Sequence, residues 1–217
     1  MNIIHFVRRT QEKEVSIKNK NVQKLRKKRY FINAAKELVD VVGVEALTVK
    51  KIAKRAGYAT GTLYNYFDNL NVLLFNCILD YFEELYNELS NIQVVDGDYQ
   101  NYLLTLMAAY TDYFTKNPEI YYLIYLKNLG PIEAVNDGKT FRPKISSLLK
   151  NALIDYYKSN DVSLTNKELE IIGSLITNSL HGNLLFYINR KSDLTIEQLE
   201  EKIKGEVVYI IRRGEKE

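Results

Sequence analysis

Cysteine is almost absent: Cys77 stands alone in 217 residues. A single thiol excludes an internal disulfide and a cysteine-rich zinc site, and Cys77 reads as a small buried hydrophobe. Histidine is nearly as scarce, with only His5 and His181, and neither follows an acidic residue at the Glu-x-x-His spacing of a di-iron helical bundle. The chain has no Gly-x-Ser-x-Gly, no phosphate loop and no plausible Cys–His pair. No catalytic residue, metal ligand or cofactor is therefore expected, and carboxylate neighbours such as Glu83-Glu84 and Glu200-Glu201 read as solvated helix faces. No apolar run approaches the roughly 18 residues that cross a bilayer. The opening stretch, MNIIHFVRRTQEKEV, places its charges after a very short apolar patch, the reverse of a signal peptide. These features lead to the expectation of a cytoplasmic protein that does not engage a membrane. The only prolines are Pro118, Pro131 and Pro143, and strand alternation is nearly missing, so the expected fold class is all-α.

Apolar residues make up 46% of the chain and charged residues 26%, the balance of a folded globular protein rather than a disordered one. The net charge of +3 conceals a division. Through Phe67 there are fifteen Lys or Arg against five Asp or Glu, and beyond it fifteen against twenty-two. A basic first third suits a polyanion, while an acidic remainder argues against uniform coating of nucleic acid.

Residues 1–22 mix charge with Asn, Gln and Ser and are expected to form an arm or a helical extension. From Val22 to Val42, the apolar positions Leu25, Tyr30, Phe31, Ala34, Ala35, Leu38, Val39 and Val42 recur at helical steps, and Gly43 supplies a stop. Thr48 can cap a two-turn helix carrying Val49, Ile52, Ala53 and Ala56, which ends at Gly57. Thr60 can cap a third short helix with Leu63, Tyr64 and Phe67, and Asp68-Asn69 opens a fourth, running to about Ile92. Further helices are expected at about 99–116, 118–128, 142–159, 166–190 and 195–213, separated by turn signals that include LGPIEAVNDGK.

Two short helices around a glycine turn, on a basic background, are the parts of a helix-turn-helix: one braces and the next enters the major groove. The other reading of the same pattern is a solvated basic face over a buried turn. The stretch AAKELVDVVGVEALTVKKIAKRAGYATGTLYNYF resembles the N-terminal domain of the TetR family of transcriptional regulators, over about residues 25–75. Its points are Ala34-Ala35, Leu38, Gly43, Thr48, the IAKRAG run and the GTLYNYF run, then Leu73. The resemblance implies that Thr48 and Lys50 meet phosphates, that Thr60, Gly61, Thr62 and Asn65 lie along the groove, and that Tyr64 and Tyr66 reach base edges or phosphates. It also implies that Leu63 and Phe67 are core. Family members usually carry a lysine where this chain has Leu70, and often Ser and Lys at Ala59 and Thr60, so some phosphate contacts are missing. The KLRKKR cluster, Arg26 and Lys27 above all, offers replacement charge, although a basic helix end can simply be solvated.

The expected organisation is thus a residue 1–22 arm, a three-helix helix-turn-helix domain at 23–69, and a larger helical ligand-binding and dimerisation domain at 70–217, with helix four as connector. Apolar stripes at Leu169, Ile172, Leu175, Ile176, Leu180, Leu184 and Ile188, and at Ile196, Leu199, Ile203, Val207 and Ile210, suit a four-helix dimer interface or an internal core. Tyrosine is dense between Tyr99 and Phe141, and an apolar ring with a polar tip suits a greasy pocket as well as a core. Tyr102, Met107, Tyr110, Phe114, Tyr122 and Tyr125, with Asn178 and His181, are the candidate ligand-binding residues. The SLHG run resembles a His-Gly stretch of some TetR-type C-terminal domains. The resemblance implies a homodimer on a double-stranded DNA operator and a small apolar or amphipathic effector: a fatty acyl compound, an aromatic or a drug-like cation. The alternative is an architectural or partner-recruiting DNA-binding protein without an effector.

Overall fold

The computed structural model describes residues 3–130 and 142–214, with side chains from residue 21 onward except at 142 and 143. Pro131 and the turn signals of residues 131–139 lie outside the described residues. Every regular element among the described residues is helical.

The first unit runs to Ile78 and takes in residues 127–130. Helix α1 spans Ile3–Val42, so the helix expected to begin near Val22 continues through the N-terminal residues. Gly43, at φ +75°, ends it, its N–H bonding the Val39 carbonyl at 3.0 Å. Helix α2, Val49–Arg55, is capped by Thr48, whose hydroxyl accepts the Lys51 N–H at 3.2 Å. Helix α3, Thr60–Tyr64, departs from expectation: its N-cap is Ala59, without a side-chain bond, and Thr60 is its first residue. The GTLYNYF run then finishes as tight turns, with Tyr66 N and Phe67 N both bonded to the Leu63 carbonyl. Helix α4, Leu70–Ser90, starts where the Asn69 carboxamide oxygen accepts the Val72 N–H at 3.0 Å, and the boundary between the two units falls inside it, after Ile78.

The short α2 and α3 cannot persist alone, and apolar burial holds them. Phe31, Ala35 and Val39 of α1, Ile52 and Ala53 of α2, Leu63, Phe67, Leu73, Leu74 and Cys77 form one core. The Phe31 ring lies 6.3 Å edge-on to Phe67 and 5.2 Å from Tyr58. The apolar pattern of α1 is only partly core, since Leu25, Tyr30 and Val42 are exposed.

The second unit comprises Leu79–Leu126 and the described chain from residue 142 onward. It contains α5 (Tyr99–Lys116), α6 (Pro118–Tyr121) running into a single wide turn at Tyr122–Leu126, α7 (Arg142–Ser159), α8 (Asn166–Ile188) and α9 (Ile196–Arg213). Asp98 caps α5 and Pro118 opens α6, while α8 and α9 each begin with a capping box, Thr165 with Glu168 and Thr195 with Gln198. Leu103, Leu106, Phe114, Tyr157, Leu184, Leu199, Ile203, Val207 and Ile211 fill the interior. The Tyr157 hydroxyl donates to the Ile211 carbonyl at 2.8 Å, tying α7 to the end of α9.

Of the two roles open to the stripes, core within the chain is the one taken by Leu169, Ile172, Ile176, Leu180 and Leu184 of α8 and by Leu199, Ile203 and Val207 of α9. Ile188, Ile196 and Ile210 are half-buried. Of the residues named in those stripes, Leu175 is the one left exposed, at 51%.

A candidate nucleic-acid interface and a candidate ligand cavity

In the first unit, Gly57 at φ +78° makes the turn between α2 and α3. Gly57 N bonds the Lys54 carbonyl at 3.1 Å and Tyr58 N bonds the Ala53 carbonyl at 2.9 Å, so the turn is pinned to α2. What remains outward is polar and basic: Thr48, Lys50, Lys51, Lys54, Gly61, Tyr64 and Asn65 are exposed. A Cβ at Gly61 would meet nothing within 4 Å, so internal packing does not require its smallness. Thr60 and Thr62 are half-buried. Leu63 and Phe67 are buried, as expected of core positions.

Tyr64 and Tyr66 divide. Tyr64 is 52% exposed, whereas Tyr66 is half-buried with its ring 5.8 Å from Phe31. Tyr66 therefore belongs partly to the packing. Lys24 and Lys27 of α1, with Gln23, line a shallow groove beside Asn65 and Tyr66, so the α1 cluster reaches the far end of the turn-helix pair. Arg26 is exposed but does not line that groove, and Lys28 places its ammonium 5.6 Å over the Phe67 ring. Lys24 and Gln23 were the residues to single out: they lie three and four positions before Lys27, on the same helix face.

The second unit encloses a cavity of about 610 Å³. Phe82 of α4, Leu103, Met107 and Tyr110 of α5, Tyr125 of the wide turn, Ile145, Leu149 and Leu153 of α7 and Leu169, Ile176, Leu180 and His181 of α8 line it. Ser146, Lys150, Glu170, Thr177 and Asn178 also line it and are exposed, so the mouth opens between α7 and α8. Gly173 lies there with Leu153 Cδ1 3.8 Å from where its Cβ would be.

Five of the eight candidate residues face this cavity: Met107, Tyr110, Tyr125, Asn178 and His181. Tyr102, Phe114 and Tyr122 do not line it. On α5 the cavity face is Leu103, Met107 and Tyr110, and Tyr102 sits about 100° around the helix from Leu103. Phe114 shares the face but lies beyond the cavity end, 4.9 Å from Tyr110 and 5.7 Å from Tyr125. Tyr121 and Tyr125 face together, 5.0 Å apart, which turns Tyr122 away.

His181 is the centre of a bonded cluster. Its Nε2 lies 3.2 Å from the Tyr110 hydroxyl, which is 2.7 Å from the Tyr125 hydroxyl. Its Nδ1 lies 3.3 Å from the Tyr121 hydroxyl, which also reaches the His181 carbonyl at 3.2 Å. The imidazole is thus both satisfied and a cavity wall. Burial, and secondarily the neighbouring Tyr125, pushes the Tyr121 phenol up to about 12, so it keeps its proton at ordinary pH.

A glycine-turned pair of short helices on a basic unit, followed by a helical unit with a cavity, defines a helix-turn-helix protein with a second helical domain. Residues 31–76 match the family model of bacterial regulatory proteins, tetR family, so the first unit carries a TetR-type DNA-binding domain. Solved structures share the fold well beyond that segment. A TetR transcriptional regulator from Rhodococcus sp. RHA1 is 17% identical, with 88% of this chain and 98% of that one covered at a TM-score of 0.57. The TetR family regulator PfmR from Thermus thermophilus is 21% identical, with 85% and 94% covered at 0.58. RolR, solved with the ligand resorcinol, is 13% identical, with 90% and 96% covered at 0.62. No curated protein matches the sequence. The chain has the fold of TetR-family DNA-binding transcriptional regulators. Among the described residues, no helix is long and apolar enough to cross a membrane, and no cluster of His, Cys, Asp or Glu could hold a metal ion.

Proposed function

We propose that the protein is a homodimeric repressor of transcription, working in the cytoplasm, that binds a palindromic operator and is released by a small lipophilic effector. The observation that carries this reading is the cavity of about 610 Å³, largely apolar along its walls, with one polar cluster inside and polar residues at its mouth. A domain serving only to dimerise would have no use for such a hole. That RolR, similar in fold, holds resorcinol supports the reading.

Residues 23–69 would read DNA and residues 70–217 would bind effector and partner. One recognition helix reads little sequence, so two copies about 34 Å apart supply the specificity. The exposed face of α8, with Ile171, Leu175, Leu185 and Phe186, suits the second copy, together with Tyr209 of α9. Gly182 on α8 and Gly205 on α9 both leave open space at Cβ, which favours close approach of partner helices. Release would require the effector to bind the state that does not fit the operator better than the state that does. Two stretches of chain lead from the cavity to the first unit. One is α4, from Phe82; the other leaves Tyr125 and reaches Lys127, whose ammonium bonds Glu45 at 2.8 Å, and Leu129, whose carbonyl accepts from Asn71 at 3.1 Å.

Selection of bound fragments from sheared genomic DNA at two salt concentrations tests the operator. A shared palindrome with half-sites about one helical turn apart supports the dimeric reader. Salt-sensitive binding without a shared sequence would reduce the protein to a non-specific DNA binder.

A further inference from the structure

The polar groups of the cavity fall into two sets. Lys150 and Glu170 are the charged residues among the described lining, and both are exposed at the mouth. The interior set holds no Lys, Arg, Asp or Glu: it is Tyr110, nearly fully buried, with Tyr125 and His181. Met107, Leu153, Ile176 and Leu180, all buried, supply apolar lining beside them.

Building on the effector reading, we propose that this cavity selects a neutral, oxygen-bearing apolar molecule, a phenol, alcohol or ketone, whose oxygen seats on the Tyr110, Tyr125 and His181 cluster, over a carboxylate or ammonium of the same skeleton.

The cluster makes this choice because it offers hydrogen bonds without charge. If Nδ1 of His181 carries the proton, it donates to the Tyr121 oxygen, and Nε2 accepts from the Tyr110 hydroxyl at 3.2 Å. If Nε2 carries it, Tyr110 accepts and Tyr121 donates to Nδ1. Either tautomer is neutral, and exchanging them reverses the direction in which the hydroxyls donate. A guest hydroxyl, which can donate or accept, fits both settings, and a ketone fits one. The Tyr121 phenol, held up to about 12, contributes no negative charge over the working range. An ionised head in the same place would surrender its hydration with its nearest described counter-charge at the mouth, a far larger penalty than burying a hydroxyl. A fatty carboxylate could then bind only reversed, with its tail inward and its head beside Lys150.

The test is titration of the protein at pH 7 with four probes of one skeleton: 4-hexylphenol, hexylbenzene, 4-hexylbenzoate and 4-hexylbenzylammonium, followed by calorimetry and thermal shift. The phenol is expected to bind at least about tenfold more tightly than either ion. In Tyr125→Phe, and separately in Tyr110→Phe, its affinity should fall toward that of hexylbenzene. Benzoate binding as tightly as the phenol, with that binding lost in Lys150→Ala, would overturn the assignment in favour of the reversed carboxylate. A phenol preference unaltered in both tyrosine variants would overturn it as well. If none of the probes binds, the ligand class and the effector reading fail together. If the phenol is selected but leaves the DNA complex intact, the ligand class stands and effector release fails.

Discussion

The two units use the same material, amphipathic helices and tyrosines, to opposite ends. In the first, function lies in what the core pushes outward: Phe31, Leu63 and Phe67 close the interior so that Tyr64, Asn65 and Gly61 stand at the surface. In the second, the proposed effector site lies in what the core leaves unfilled. Phe114, Tyr121 and the α8 leucines brace a wall, and Tyr110, Tyr125 and His181 look into the space. A surface reader needs a rigid support and tolerates little local variation, whereas a cavity depends on which side chains stop short of contact.

The sharpest way to break this comparison is to empty the support of the first unit. Phe67 is buried against Phe31, and Phe67→Ala should cost about 3–5 kcal/mol, with DNA binding lost. The contrast predicts that binding of an apolar dye in the cavity survives, because the cavity residues all belong to the second unit. Denaturant unfolding followed by dye fluorescence checks it. Loss of dye binding in parallel with DNA binding would mean that the two units fold as one.

Next in size is the outward face of α8. Phe186 is 59% exposed, so Phe186→Asp should scarcely alter the stability of one chain yet remove an apolar anchor from the proposed dimer, on the order of 2 kcal/mol or more. Analytical ultracentrifugation should show the midpoint for dimerisation shifted at least tenfold, by about 1.4 kcal/mol. Ile176→Ala, the next residue after Leu175 but buried, should do the reverse and lower stability by about 2–5 kcal/mol without a specific effect on association.

Within the first unit, Tyr64 and Tyr66 separate reading from support. Tyr64→Ala should weaken operator binding by about 1–3 kcal/mol and leave the melting temperature nearly unchanged, since its side chain is largely exposed. Tyr66→Ala should lower both, because its ring packs on Phe31. Lys24→Ala should reduce the salt dependence of binding by about one counterion, a signature of phosphate contact. Electrophoretic mobility at several salt concentrations, with thermal denaturation alongside, distinguishes the three.

This asymmetry also explains what could be read from the sequence. The start of α5 and the end of α7 were legible because caps and turns mark them locally: Asp98 before one, Ser159 and Asn160 at the close of the other. The IAKRAG and GTLYNYF runs were legible for the same reason, since a glycine with positive φ and a buried Leu-Phe pair leave a fixed pattern over a few residues. Residues 3–21 gave no such signal because they carry no apolar face, and α1 nonetheless extends through them. Periodicity shows that a face is apolar but not what it packs against. So Ile172, Ile176 and Leu180 could suit a partner copy from their spacing, and only the fold places them inside. Tyr102 and Tyr122 failed as cavity residues for a related reason. Density of tyrosine in the chain does not reveal rotation about a helix, and one residue's step carries a side chain from the cavity wall to another face.

The smallest effect concerns the cluster behind the cavity and has a definite sign. Tyr121 has its phenol pushed up to about 12 in the folded protein by burial, with Tyr125 adding to it. In the unfolded chain a tyrosine ionises near 10. Between those values the unfolded state has released a proton that the folded state retains, so stability contributed by this group is intact below about pH 10 and is lost as pH rises toward 12. Other tyrosines add their own slopes, so the comparison must be made with Tyr121→Phe, which removes this ionisation while keeping the ring against Phe114. The variant should show a shallower fall of melting temperature above pH 10 than the parent, and the same flat profile near pH 7. Identical alkaline slopes would mean that the phenol ionises in the folded state as it does in water, and the uncharged character of the cluster around His181 would then hold only below that pH.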